Sequence, residues 1–267
     1  MTAYYRLTIL GCGSSPGVPR ITGDWGNCDP ANPRNRRTRT AAMVERFGPR
    51  GVTRVAIDTG PDFRQQMLAA GVDALDAVVY THAHADHIHG IDDLRSFVLI
   101  QRRRMDIYAD RTTLERLQES FAYCFETPAG SSYPPILTPH TIAHREPFSI
   151  EGDGGPIEFR PLPQFHGDTV SLGFRIGQLA YCSDVSDFPD TTIEDLADVE
   201  VLIIDALQYK HHPSHFSLEQ ALDWIARLKV ARAILTHMHI PLDYDRVNDA
   251  TPDHVEPAYD GLAIDFR

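Results

Sequence analysis

The chain has 267 residues, 42% hydrophobic and 23% charged, which suffices to bury one sizeable core, and a single domain spanning residues 1–267 is expected. Its formal net charge of −12 excludes general polyanion binding, because gripping phosphate backbones needs clustered Lys and Arg. A small anionic substrate held through metal ions is not excluded, since such ions reverse the local field.

The four cysteines, Cys12, Cys28, Cys124 and Cys182, form no C-x-x-C pair and are too few for a disulfide framework. They suit a reducing, cytoplasmic setting. No apolar run is long enough to span a bilayer, and residues 1–10 show no signal-peptide pattern.

Residues 5–10 alternate as a first strand and run into Gly11-Cys12-Gly13-Ser14-Ser15-Pro16-Gly17-Val18-Pro19. These glycines and prolines make a loop shaped by its backbone. It is either an ordinary turn or one that approaches an anion, with Ser14 and Ser15 as contacts. Residues 34–39 hold Arg34, Arg36, Arg37 and Arg39. That cluster suits bidentate phosphate contact, with Arg36 and Arg37 the candidates, or a solvated and internally paired loop. Residues 41–47 and 53–57 read as paired strands. Asp58 at the end of the second suits two roles: a helix N-cap, or the acceptor for the ring N–H of a metal-bound His. A helix is expected over 62–70, stopped by Gly71.

The run Ala77-Val78-Val79-Tyr80 reads as a buried strand. Directly after it, Thr81-His82-Ala83-His84-Ala85-Asp86-His87 gathers His82, His84, Asp86 and His87. Imidazole and carboxylate together suit Zn²⁺ and Mn²⁺, and the alternation lets them converge from both sides of a tight turn. Residues 90–100 are expected to be helical, 105–109 a strand, and 111–125 an amphipathic helix. Pro128, Gly130, Pro134, Pro135 and Pro139 predict a loop over 127–139.

A second strand-rich series follows. Residues 157–162 lead to His166, and a hairpin over 171–176 and 178–182 leads to Asp184. A buried strand over 201–204 ends at Asp205. Ser217 and Gln220 form a capping box for a helix over 218–228. A strand over 232–235 precedes His237, and residues 262–266 close a sheet edge. Asp58, His82, His166, Asp184, Asp205 and His237 thus all follow short apolar strands, which argues for one site along the edge of two sheets.

This order of Asp58, H-x-H-x-D-H, His166, Asp184 and His237 resembles the metallo-β-lactamase superfamily. The resemblance implies an α/β (α+β) fold, a four-layer αββα sandwich with two divalent metal ions, Zn or Mn, at one edge. By the family pattern His82, His84 and His166 hold one ion, and Asp86, His87 and His237 the other. Asp184 bridges them, Asp58 stands behind the ligands, and Asp86 serves the chemistry as well as the metal. Within the superfamily, the Gly-rich loop, Arg34-Asn35-Arg36-Arg37-Thr38-Arg39-Thr40 and Ser214-His215-Phe216-Ser217-Leu218 resemble the phosphoribosyl cyclic phosphodiesterase (PhnP) group. There a His at the place of His215 acts on the phosphate or leaving oxygen, which makes His215 the candidate general acid. An imidazole titrates near neutral pH and suits that role. His211 and His212 read as surface residues. The PhnP group often carries a cysteine cluster for a structural zinc. Here Asp29, Pro30 and Ala31 follow Cys28, and a single thiolate does not build that site, so no third zinc is expected.

The expected function is that of a dinuclear-metal-dependent phosphodiesterase. It would hydrolyse a small cyclic phosphate or nucleotide-like phosphodiester through a metal-bridging hydroxide. A ribonuclease Z-like tRNA processor is the alternative, opposed by the net charge and by the lack of a Gly/basic arm for tRNA. A non-catalytic metal-bearing carrier on the same scaffold is the alternative from another class. A homodimer is common among such relatives.

Overall fold

The computed structural model describes residues 4–267. Strands β1 (Tyr4–Gly11), β2 (Ala41–Gly48), β3 (Gly51–Ile57), β4 (Ala77–Val79), β5 (Met105–Ala109) and β6 (Leu137–Thr141) form the first sheet, closed at one edge by the C-terminal strand Ala263–Phe266. β7 (Phe148–Ile150), β8 (Ile157–His166), β9 (Thr169–Ile176), β10 (Leu179–Cys182), β11 (Val201–Asp205), β12 (Arg232–Thr236) and β13 (Val255–Pro257) form the second. The C-terminal strand, β14, pairs antiparallel with β1.

Side-chain alternation decides the layering. Val55, Ile57, Ala77 and Val79 enter the core between the sheets, with Phe159, Leu172, Phe174 and Ile203. Their neighbours Ala56, Val78 and Tyr80 point to the other face, under helices α1 (Phe63–Ala70), α2 (Ala85–Ile88), α3 (Leu94–Gln101), α4 (Arg111–Ser120) and α5 (Ala122–Phe125). This period of two follows from the pleat. The second sheet carries α6 (Asp190–Asp195), α7 (Leu218–Leu228) and α8 (Tyr244–Ala250). Leu218, Ala221, Trp224 and Ile225 form the buried stripe of α7, and Ser217 and Gln220 close its capping box. The result is the four-layer arrangement of helices on two mixed sheets.

β3, β4, β5 and β6 run parallel, as do β10, β11, β12 and β13. β8 is antiparallel to β9, which is antiparallel to β10, so β8 points the same way as β10. The residues after β3, β4, β8, β10, β11 and β12 therefore reach one edge.

Several elements differ from the sequence expectation. Residues 137–141 form a strand despite Pro139, because β6 is an edge strand and its missing N–H leaves no inner ladder bond unmade. The helix expected over 111–125 breaks at Phe121, whose backbone (φ −130°, ψ 38°) is not helical. The helix expected over 90–100 begins with a 3₁₀ turn at Ile91–Asp93. Strand β8 extends through His166, past the expected end at 162.

Candidate metal centre

The turn after β4 is set by Asp58. Its carboxylate accepts from Thr81 N and Thr81 Oγ1, each at 2.8 Å, and from His87 Nδ1 at 2.7 Å. Of its two possible roles it therefore takes the ring acceptor, not the helix cap. The bond puts the His87 proton on Nδ1 and turns Nε2 to the open side. His166 Nδ1 donates to Ser214 O at 2.7 Å and is oriented likewise. Gly60 is needed beside this turn, since a Cβ there would lie 2.1 Å from Asp86 O.

Asp58, Asp184 and His237 each leave their strands with positive φ, at 67°, 54° and 58°. Each such backbone costs an L-residue about 1 to 2 kcal/mol, so three at one edge mark a place where side-chain aim outweighs local stability.

Two groups of side chains result. His82, His84 and His166 bring one ligand atom each within 4.8 Å of one another, and so do Asp86, His87, Asp184 and His237. Asp184 lies between the groups: Oδ2 is 3.2 Å from His87 Nε2, while Oδ1 is 3.3 Å from His237 Nε2 and 3.9 Å from His166 Nε2. The structure thus gathers all seven residues expected as ligands.

Their atoms fit cations better than they fit each other. His82 Nε2, His87 Nε2, His237 Nε2 and Asp184 Oδ2 are buried without a hydrogen-bond partner. Unpaired buried polar atoms are costly, and these four, one in the first group and three in the second, call for partners that the protein itself does not supply. Ligand atoms held ~2.1 Å from one tetrahedral ion sit about 3.4 Å apart. The His84–His166 separation of 3.2 Å and the His87–Asp86 separation of 3.5 Å match that spacing.

Electrostatics agree. Burial alone would lower the pKa of His87, but Asp184, Asp86 and Asp58 hold it well above the usual range. His237 is likewise raised to about 9, against burial, by Asp184 and Asp86. Asp184, despite burial, is held well below the carboxylate range by His237 and His87. His82 and His166, farther from the carboxylates, are lowered, chiefly by burial. The Asp-rich group therefore retains protons as stand-ins for a cation.

His215 stands beside both groups. Its ring lies 4.6 Å from that of His166 and stacks at 4.6 Å on that of His237. Its Nδ1 bonds Asp205 Oδ2 at 2.6 Å, and Asp205 is fully buried. Asp205 has no role in the sequence reading beyond its place at a strand end. That place was the available signal; its pairing with His215 arises only when the loop after β11 folds back. His212 is also nearer than a surface residue would be, with its ring 5.3 Å from that of His215.

The remaining sequence candidates separate. Ser14 is buried and bonded to His239 Nδ1 at 2.8 Å, while Ser15 is exposed on the same loop. Arg36 is exposed and lies over the Trp25 ring at 5.2 Å. Arg37 departs from the expected substrate contact: it is 1% exposed, with its guanidinium against Asn35 Oδ1 and Cys28 Sγ. Both partners belong to the same loop region, residues 28–37, so the guanidinium is enclosed by its own loop.

Residues 53–238 match the family described as the Beta-lactamase superfamily domain. The chain belongs to the beta-lactamase superfamily. Among solved members, a new diphosphatase from the PhnP family is 36% identical, with a TM-score of 0.88 over 98% of this chain and 97% of that one. A Porphyromonas gingivalis protein named octanoyltransferase is 35% identical over 262 residues, 96% of this chain, and this chain spans about half (51%) of its length. A ribonuclease Z from Bradyrhizobium diazoefficiens is 32% identical over 146 residues, 53% of this chain and 45% of that protein. No helix among the described residues is long and apolar enough to cross a membrane.

Proposed function

We propose that this superfamily member is a metal-dependent hydrolase of small phosphodiesters or related phosphate esters. His82, His84 and His166 would hold one divalent ion, Asp86, His87 and His237 a second, with Asp184 shared. When bound, such a pair supplies Lewis-acid stabilisation of phosphoryl oxygens and acidifies water at neutral pH.

The observation that carries the reading is the Asp205–His215 pair beside that centre. Asp205 accepts the hydrogen bond from His215 Nδ1–H, so Nε2 is the nitrogen left for a substrate oxygen. One nitrogen of His215 comes within 4.8 Å of ligand atoms of both His166 and Asp184. An imidazolium there donates its Nε2 proton to the leaving alkoxide, and Asp205 stabilises the charged ring and fixes its tautomer. An ester that leaves as a poor, basic alkoxide needs that donor. The 36% identity to a PhnP-family diphosphatase supports phosphate chemistry. Compact substrates suit the chain, whose net charge of −12 opposes a long polyanion.

The test is hydrolysis of bis(p-nitrophenyl) phosphate and ribose 1,2-cyclic phosphate by Zn²⁺- or Mn²⁺-loaded protein. We expect turnover of both, and His215→Asn to lower kcat about 10² to 10⁴-fold on the cyclic phosphate, the range general acids supply. The loss should be smaller on bis(p-nitrophenyl) phosphate, whose leaving group needs little protonation. Turnover of thioesters with neither phosphate ester hydrolysed would sink the reading.

A further inference from the structure

Helix α3 carries two stripes. Leu94 and Phe97 are its buried residues, while Arg95, Val98 and Leu99, spaced i, i+3 and i+4, share a second flank. That flank, Tyr123 of α5 and the Pro-rich segment ending in Pro134, Pro135 and Ile136 line a cavity of about 420 Å³. Small-molecule pockets span ~300 to 1,000 Å³ and are mostly apolar, with a few placed polar groups. None of the described lining residues belongs to the metal centre.

The walls are held without an occupant. Ile136 N donates to Cys124 O and Met105 N donates to Ile136 O, each at 2.9 Å, which ties the end of the Pro-rich segment to α5 and β5. Pro134 and Pro135 fix their own φ. Yet the lining stays wet: Leu99 is 70% exposed and Tyr133 73%. Clustered exposed apolar side chains of this kind gain from covering by an apolar ligand.

Charge narrows the choice of ligand. Among the described lining residues, Arg95 alone carries a full charge. A single cation in an otherwise apolar cavity, on a chain of net charge −12, complements an anion. Arg95 Nη2 pairs with Asp92 Oδ1 at 2.7 Å, but the two side chains are 32% and 50% exposed. Such a pair contributes little, so the guanidinium is free to turn to a ligand. Tyr123 stands within electrostatic reach of Arg95 and adds a hydroxyl at the same end. One guanidinium and one hydroxyl match a monoanion, since a doubly charged phosphate would keep one charge uncompensated beside apolar walls.

We propose that this cavity is a binding site for a free, single-tailed carboxylate of medium chain length. Its head lies on Arg95 and Tyr123, and its tail lies between Leu99 and the Pro134–Ile136 segment. The site is separate from the metal centre and independent of the hydrolase reading.

Calorimetric titration with hexanoate, octanoate and 1-octanol tests both ends. Each methylene buried should tighten binding about fourfold, so octanoate should bind at least fivefold more tightly than hexanoate. Octanoate should also bind at least fivefold more tightly than 1-octanol, and Arg95→Gln should abolish that preference, because a bond to a charged group is lost. Leu99→Ser should weaken both eight-carbon ligands alike. The acid-to-alcohol and chain-length comparisons on wild type need no variant, so the proposal stays testable if a variant misfolds. No saturable binding of octanoate to wild type, no gain with chain length, or equal binding of acid and alcohol overturns it. So does a chain that sediments as a dimer and turns monomeric in Leu99→Asp, since a second copy would then fill the cavity.

Discussion

Residues 34–39 and residues 82–87 each carry four chargeable side chains in six positions, and the fold treats them in opposite ways. In 34–39 the charges are dispersed onto separate partners. Arg34 lies over Tyr244 and Tyr259, Arg36 over Trp25, and Arg39 pairs with Asp62. Arg37 is buried against Asn35 and Cys28. In 82–87 the side chains converge instead, and His82 Nε2 and His87 Nε2 are buried there without a hydrogen-bond partner. Dispersed charge fastens a loop; convergent, unsatisfied charge awaits a ligand. The same density of ionisable groups thus supports stability in one segment and chemistry in the other.

The largest test of this contrast is Asp184→Asn. Asp184 touches both ligand groups, so its loss should cost at least about a thousandfold in kcat/KM, or about 4 kcal/mol of transition-state stabilisation. Metal analysis should show fewer ions bound per chain. Full activity with a full metal complement would mean that the convergence is not a shared site.

Removing the metal should expose the protons that replace it. His87 and His237 have raised pKa values in the folded chain, His237 to about 9, against about 6.5 for an unfolded His. A raised folded-state pKa stabilises fully below the unfolded value and loses that stabilisation as pH climbs through the folded one. Chelator-treated protein should therefore lose melting temperature between pH ~6.5 and ~9, the window set by those two values. Metal-loaded protein should gain relative stability across the same window, because ligands bind metal only after giving up their protons. Parallel thermal scans with and without metal would show it. Identical slopes would mean that the histidines do not exchange protons for metal.

Much of this was legible beforehand because strand ends are local features. An apolar run followed by His or Asp marks a strand that delivers a side chain to the shared edge, and Asp58, His82, His166, Asp184, Asp205 and His237 all carry that mark. The alternation of Val55, Ala56 and Ile57 likewise announces two buried faces. What stayed hidden depends on distant pairing. β6 forms because β5 offers a free edge, which no pattern within residues 137–141 reveals. Asp205 acquires its role from a histidine ten positions later, brought back by the Ser214–Ser217 turn. Arg37 looks from sequence like any other arginine of its cluster. Its burial is decided by Cys28 and by Asn35, which Asp243 and Tyr244 anchor from the far end of the chain.

Arg37→Met is the smallest and sharpest way to separate the two segments. The buried guanidinium donates to Asn35 Oδ1 at 3.3 Å and reaches Cys28 Sγ at 3.9 Å, while its Nε lacks a partner. Methionine keeps most of the volume and removes the desolvated charge, so two effects oppose each other. Lost hydrogen bonds destabilise by about 1 to 3 kcal/mol, and relief of burying a poorly paired charge returns part of that. A modest net loss of stability in urea unfolding is expected, below about 2 kcal/mol. Hydrolysis of bis(p-nitrophenyl) phosphate should stay within about twofold of wild type, since twofold corresponds to only about 0.4 kcal/mol of barrier. A large rise in KM with stability intact would restore Arg37 as a substrate contact and erase the distinction between the dispersed and the convergent charges.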